Sequence, residues 1–248
     1  ETGNKLGDPE NPLLLAVRSG ASVSMPGMME TVLNVGVTPL TLPALQNVTG
    51  NHFFALDSYR RFLEGFCKSA LNIDRPRFNA HTIEKAGLPD HIKDLETVIS
   101  ERIGGGQLCD ARYLLNECIH AVIRSSKSAT AQAYRKKTGL PESLGTAVTI
   151  QAMVFGNTGA RSGTGVVFSR DPNSGEKKIC GDWISNAQGD DVVAGDTATS
   201  DISVFGATHP SAYEELKLHL EHLEIFYQDM VDVEFTVEQG KLWILQAR

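Results

Sequence analysis

Phe155-Gly156-Asn157-Thr158-Gly159-Ala160-Arg161-Ser162-Gly163-Thr164-Gly165 runs straight into Val166-Val167-Phe168-Ser169 and reads as strand, glycine-rich turn, strand. Its four glycines leave the backbone free to take positive φ and to expose several N–H groups on one side. A loop closes over a polyphosphate in that way, with no side chain obstructing it. No helix opening on Lys-Ser/Thr follows, and the next residues are apolar and β-branched, so the spacing is neither that of a P-loop nor that of a dinucleotide fingerprint. A hairpin lid over a nucleotide is the sharper reading. An ordinary glycine-rich hairpin loop fits the same residues.

Upstream, Thr146 to Phe155 is a run of β-formers, and further strands are expected at 164–169, 178–184, 231–237 and 241–247. His209-Pro210-Ser211 opens a helix whose Tyr213, Leu216, Leu220, Leu223 and Phe226 form one apolar face, with Glu214, Glu215, Lys217, Glu221 and Glu224 outward. The final third is therefore antiparallel β with a covering helix. At the other end, Leu13-Leu14-Leu15-Ala16-Val17 suits a buried strand, and residues 25–33 read as a loop entering a short helix. Between about 41 and 138 apolar residues recur at helical spacing. Breaks fall near Asp74-Arg75-Pro76, Gly87-Leu88-Pro89 and Gly104-Gly105-Gly106. The fold class is α+β.

Composition narrows the function. Net charge is −7 with no basic block, which argues against nucleic acid as a partner. No apolar run approaches the ~18 residues of a membrane span, and Glu1-Thr2-Gly3-Asn4-Lys5 lacks a leader pattern, so no membrane and a cytoplasmic setting are expected. Cys67, Cys109, Cys118 and Cys180 show no C-x-x-C pair and no His at ligand spacing, and read as buried or half-buried thiols. His219 and His222, without a third ligand, read as a solvated helix face.

The last hairpin carries the chemistry. Val231-Asp232-Val233-Glu234-Phe235-Thr236-Val237 alternates by twos, placing Asp232, Glu234 and Thr236 on one face and the apolar residues on the other. After Glu238-Gln239-Gly240-Lys241 the chain returns through Leu242 to Arg248, so that Gln246 and Arg248 can meet those carboxylates. Carboxylate and amide oxygens are hard ligands suited to Mg²⁺ bound with a nucleotide, and Arg248 can fork onto phosphate. A surface hairpin with cross-strand charge pairs is the plainer reading of the same residues. Together with Arg18, at the end of the first strand, these are the parts of a phosphoryl-transfer site.

Several stretches, in order along the chain, closely resemble the nucleotide-binding domain of the pyruvate, phosphate dikinase family. They are Val17-Arg18-Ser19-Gly20-Ala21 with Ser24-Met25-Pro26-Gly27-Met28-Met29-Glu30-Thr31, Gly156 to Gly165, Asn186-Ala187-Gln188-Gly189, Asp191 to Gly195, and Asp232 to Thr236 with Gln246-Ala247-Arg248. The resemblance implies an ATP-grasp-like fold in three parts. Residues 1–37 would be the remnant of a first lobe, 38–138 a mainly helical inserted subdomain with return helices, and 139–248 an antiparallel β lobe with flap and covering helix.

It further implies a phosphotransferase domain that passes phosphoryl from Mg-ATP to a histidine on a separate domain during phosphoenolpyruvate/pyruvate interconversion. By resemblance, Arg18 and Arg248 clamp phosphate, Glu234 and Gln246 ligate Mg²⁺ with Asp232 beside them, Gly163, Thr164 and Gly165 form the flap, Ser162 beside them binds the nucleotide, and Gln151 and Met153 flank adenine.

Other family features are not in these residues: a lysine-bearing glycine loop, the phosphohistidine signature and the barrel. The chain is therefore expected to be a piece of a longer enzyme or an incomplete homologue, inactive alone in the full reaction, with any homo-oligomer contacts in other regions. Gly181-Asp182-Trp183 and Gln188-Gly189-Asp190-Asp191 carry Asp where the family usually has Glu, and Asp196-Thr197-Ala198-Thr199 lacks a usual basic residue. Shorter reach and lost positive charge are expected to weaken ATP binding. The alternatives are a non-catalytic nucleotide-binding or interaction module, and a phosphoenolpyruvate synthase-like or antibiotic-phosphorylating relative. Ser-Met-Pro-Gly-Met-Met-Glu-Thr argues against those relatives.

Overall fold

The computed structural model describes residues 3–20, 23, 25, 27–73, 87–194 and 198–248, without the side chains of Asp190, Val193 and Ala194. Ala21, Ser24 and Pro26 of the first motif, the break at Asp74-Arg75-Pro76, and Gly195, Asp196 and Thr197 lie outside the described residues. The chain divides into two units, Glu1–Met153 and Val154–Arg248.

In the first unit β1 (Leu15–Gly20) is the central strand of an antiparallel three-stranded sheet, between β2 (Thr31–Val35) and β3 (Ala147–Ala152). The short helix expected near 25–33 is instead β2, since Thr31, Val32 and Val35 pair with Arg18, Val17 and Leu15. β3 adds to the other edge of β1, and the first unit ends just after it, at Met153. Helices α1 (Leu42–Thr49), α2 (His52–Ser69), α3 (Leu88–Ile103), α4 (Gly105–Leu108), α5 (Ala111–Ser125) and α6 (Ala129–Thr138) fill the sequence between β2 and β3. Asn51, Asp110 and Ser128 cap α2, α5 and α6 by accepting from backbone N–H groups of the first turn. α2 packs on β2, and α5 on β1 and β2. Val17 and Val32 are thereby buried, as are Phe62, Phe66, Leu114 and Val122 of the helices.

α2 also carries an ionic network. Arg60 donates to Asp57 Oδ1 at 2.7 Å and to Glu64 Oε2 at 2.7 Å, Arg61 donates to Asp57 Oδ2 at 2.8 Å, and His91 Nε2 lies 2.9 Å from Glu64 Oε1. Burial alone would raise the Asp57 pKa, but the Arg61 and Arg60 charges and hydrogen bonds outweigh it and hold the carboxyl below its usual range.

The second unit is a five-stranded antiparallel sheet in the order β6-β5-β4-β7-β8, comprising β4 (Gly163–Phe168), β5 (Cys180–Ser185), β6 (Ser200–Asp201), β7 (Asp232–Glu238) and β8 (Lys241–Ala247). α8 (Ile202–Thr208) and α9 (Pro210–Tyr227) contribute Phe205, Leu216 and Leu220 to one core with Val167, Trp183, Val233, Phe235 and Val237 of the strands. The last turn of α9 departs from its expected apolar face. Phe226 is 77 % exposed, in company with exposed Ile225 and Tyr227, so this turn runs beyond that core. All four cysteines are free; Cys67 and Cys118 are buried, and Cys109 and Cys180 half-buried.

Candidate functional site

On β7 the alternation buries Val233, Phe235 and Val237 and turns Asp232, Glu234 and Thr236 to the opposite face. β8 does not follow simple alternation. Lys241, Leu242, Trp243 and Ile244 oppose Glu238, Val237, Thr236 and Phe235 in turn, but Glu234 then opposes Gln246, leaving Leu245 as the extra residue of a bulge. Without that extra residue in the count, Gln246 would fall opposite Val233 and point with Leu242 and Ile244 into the core. The bulge instead gives Val233 the small Ala247 as partner and brings Gln246 and Arg248 to the carboxylate face.

Four side chains meet there. Arg248 Nη2 donates to Glu234 Oε1 at 2.6 Å and to Gln246 Oε1 at 3.3 Å, while Nη1 donates to Asp232 Oδ2 at 3.3 Å. The backbones of Asp232 and Arg248 exchange hydrogen bonds of 2.8 and 2.7 Å, fixing the strand end that carries the guanidinium. Asp232 Oδ1 is buried with no hydrogen-bond partner, an oxygen available to a cation or a water. Two carboxylates and an amide oxygen are a donor set for a hard divalent ion. Among the described residues no group of three or more His, Cys, Asp or Glu side chains is placed to hold a metal. A cation here would therefore keep waters and take phosphate oxygens, as Mg²⁺ does.

The glycine-rich stretch is not a hairpin lid. β3 pairs with β1 in the first unit, whereas β4 lies between β5 and β7, so the strands flanking the glycines belong to different sheets. Gly163, Thr164 and Gly165 are buried in the middle of a sheet, hydrogen-bonded on both sides. Gly163 and Gly165 are glycines for packing reasons. A Cβ on Gly163 would lie 2.3 Å from the Trp183 ring, and one on Gly165 2.7 Å from the Phe235 ring. The Thr164 hydroxyl donates to Phe235 O at 3.0 Å. The N-terminus of α7 (Gly189–Ala194) packs over it.

The preceding loop is latched at several points. Phe155 N–H donates to Glu238 Oε1 at 3.0 Å, Gly159 N–H to Asn186 Oδ1 at 2.9 Å, and Gln239 N–H to Ser162 Oγ at 2.9 Å. Gln239 Nε2 reaches Thr158 O at 3.0 Å, Arg161 Nη2 reaches Gln239 O at 2.9 Å, and Gln188 Nε2 lies 3.3 Å from Asn157 Oδ1. Ser162 is fully buried. Burial raises the Glu238 pKa above the usual glutamate value, against the opposing pull of the Phe155 N–H and Lys241. Gln239 and Asn186 both hold positive φ, 50° and 53°, in the turns that grip the loop. These two and Gln188 position the loop; the Gln-Gly turn before Lys241 is the sequence signal for Gln239.

Arg18, Gln151 and Met153 belong to the first unit. Arg18 is half-buried on β1 opposite Thr31 and Thr149, and Gln151 opposes Ala16. Met153 N–H donates to Leu14 O at 3.0 Å, and its sulfur accepts from the N–H of buried Asn34 at 3.0 Å. Asp182 lies on the same sheet face as Glu234, across Val166, and accepts from the Thr199 hydroxyl at 2.7 Å. Asp191 Oδ2 accepts from Gln188 N–H at 2.9 Å.

Residues 1–214 match the family described as pyruvate phosphate dikinase, AMP/ATP-binding domain. The chain belongs to that family. It is 42% identical over 262 residues to a chloroplastic pyruvate, phosphate dikinase of Flaveria trinervia, covering 100% of this chain and 27% of that protein. It is 42% identical over 268 residues to pyruvate, phosphate dikinase of Giardia intestinalis, covering 99% and 30%. A chloroplastic dikinase of Mesembryanthemum crystallinum is 43% identical over 263 residues, covering 100% and 28%. The chain thus spans less than a third of the length of these dikinases. The family match ends before β7, whereas the similarity to the Flaveria and Mesembryanthemum dikinases extends through Arg248. Dikinases named as chloroplastic and dikinases without that label are both among the relatives, so membership does not fix the expected cytoplasmic compartment. No helix among the described residues is long and apolar enough to cross a membrane.

Proposed function

We propose that this chain is the ATP-binding, phosphoryl-donating domain of a pyruvate, phosphate dikinase-like enzyme, with an ATP-grasp-like fold and a requirement for Mg²⁺. The acceptor is a histidine on a separate domain, from which the phosphoryl group moves on in phosphoenolpyruvate/pyruvate interconversion. The observation that carries the reading is the convergence of Asp232, Glu234, Gln246 and Arg248 on one sheet face through the bulge at Leu245.

Bound Mg²⁺ would neutralise phosphate charge as the phosphoryl group transfers. Glu234 and Gln246 supply oxygens to it, and Asp232 stands beside them with its unpartnered Oδ1. Arg248 and Arg18 are the guanidinium donors for phosphate oxygens, whose charge spreads in the transition state. No general base is required when the acceptor is a neutral imidazole. Gln151 and Met153 flank the base. Gly163, Thr164 and Gly165 act as a fixed floor paired to β7, the strand that presents Glu234, with Ser162 beside them accepting from the Gln239 N–H, and not as a moving cover.

Titration calorimetry of Mg·ATP into the wild-type chain and Glu234→Ala tests this. Metal-dependent binding that disappears in the variant is expected. Equal heats in both, or none in either, would leave a module that kept the family's fold without the donor site.

A further inference from the structure

We infer that Arg248 makes the oxygen cluster selective for a cation that arrives with phosphate, by occupying the cation's donors until a polyphosphate draws the guanidinium away. The inference rests on the magnesium–nucleotide reading of this site and assigns Arg248 a role before nucleotide binds, besides the phosphate contact.

The geometry is that of a resident counter-cation. Nη2 alone bridges Glu234 Oε1 at 2.6 Å and Gln246 Oε1 at 3.3 Å, the two oxygens proposed for the metal, and Nη1 takes Asp232 Oδ2. Asp232 and Glu234 are neighbours on one strand face, so their charges repel unless a cation lies between them. The guanidinium supplies that charge. A free divalent ion entering the cluster would have to displace Arg248 from Glu234 and leave its positive charge beside a dication. A metal–polyphosphate complex avoids this. The carboxylate passes from Arg248 to the metal, the guanidinium passes from carboxylate to phosphate, and every charge keeps a partner.

The switch needs only a side-chain movement. Arg248's backbone is held to Asp232 by reciprocal hydrogen bonds, while its side chain is about one-third exposed at 32 %.

Manganese is the probe, with free Mn²⁺ measured by electron paramagnetic resonance and the Glu234-dependent component taken as the difference from Glu234→Gln. Wild type is expected to bind Mn²⁺ weakly without nucleotide. Arg248→Met should tighten that binding on the order of tenfold and weaken Mn·ATP binding, because a cation has been removed from contact with the ligand oxygens. Arg248→Lys keeps the charge and should keep the weak free-metal binding. Circular dichroism confirms that each variant is folded.

The inference is overturned if Arg248→Met binds free Mn²⁺ no more tightly than wild type, or if Arg248→Lys tightens it as much as Met does. If that happens while Glu234→Gln still abolishes Mn·ATP binding, the site assignment stands and only the role of Arg248 falls. If Glu234→Gln binds Mn·ATP like wild type, both fall together.

Discussion

Adding one methyl group to Gly163 distinguishes a packed central strand from a flexible flap. A Cβ there would sit 2.3 Å from Trp183 Cζ2, 2.4 Å from Cη2 and 2.6 Å from Ile184 O, where ordinary contact needs roughly 3.5–4.0 Å. The ring cannot easily give way. Trp183 is 2 % exposed and lies against Phe205 and Phe235 at centroid separations of 4.5 and 5.8 Å. Overpacking of this kind costs about 1–3 kcal/mol or more, and the entropic benefit of replacing glycine returns only ~0.4–1 kcal/mol. Gly163→Ala is therefore expected to lose about 2 kcal/mol, which for a unit of this size lowers its midpoint by roughly 10 °C. Both tryptophans, Trp183 and Trp243, lie in Val154–Arg248, so their fluorescence follows that unit during urea or thermal unfolding. Gly189→Ala serves as control, since its Cβ would meet only Thr164 Oγ1 at 3.8 Å. If Gly163→Ala unfolds at the wild-type midpoint, the strand is not packed as described and the flap reading returns.

Other outcomes follow from the same structure. Glu238 has a raised folded-state pKa, so the stability it contributes is full below the ordinary value of 4.5 and is lost as pH rises through the raised value. Glu238→Gln should therefore have a higher tryptophan-monitored urea midpoint than wild type at pH 7, by a margin that narrows at pH 5; an identical margin at both pH values would refute the assignment. Asp57 is lowered, so its contribution is present above the ordinary 3.8 and is lost as pH falls through the lower folded value. Asp57→Asn strands part of the Arg60 and Arg61 charge and is expected to cost about 3 kcal/mol near neutral pH, read by far-ultraviolet dichroism of the helices. A loss below about 0.5 kcal/mol would contradict it. Deleting Leu245 removes the extra bulge residue while leaving Gln246 next to face Glu234, so Mg·ATP binding should survive; its loss would mean that the bend itself, and not only the register, is needed.

The second unit was largely legible because its signals are local. Alternation in Val231–Val237 identified both faces of β7, and the apolar spacing of Leu216 and Leu220 identified the packed face of α9. The bulge at Leu245 carries no comparable mark, since apolar residues 242, 244 and 245 read equally well with or without it, and the register is set by Phe235 and Val237 opposite. β2 escaped for a similar reason. Five residues after a methionine-rich stretch have too short a pattern to name, and only pairing with β1 makes them a strand. The glycines misled in the other direction. Their freedom suggested a moving loop, but Gly163 and Gly165 are dictated by the Trp183 and Phe235 rings, which are far away in sequence. Phe226 matches the helical stripe, yet it is exposed and stands outside the core that takes Leu216 and Leu220.

The most direct measurement is the anomalous diffraction of manganese in crystals of this chain grown with Mn²⁺ and a non-hydrolysable ATP analogue. The account predicts a peak within roughly 2.0–2.3 Å of oxygens from Glu234 and Gln246, with the Arg248 guanidinium turned from Glu234 onto phosphate. Manganese and nucleotide bound elsewhere, with the Arg248–Glu234 pair still closed, would contradict it.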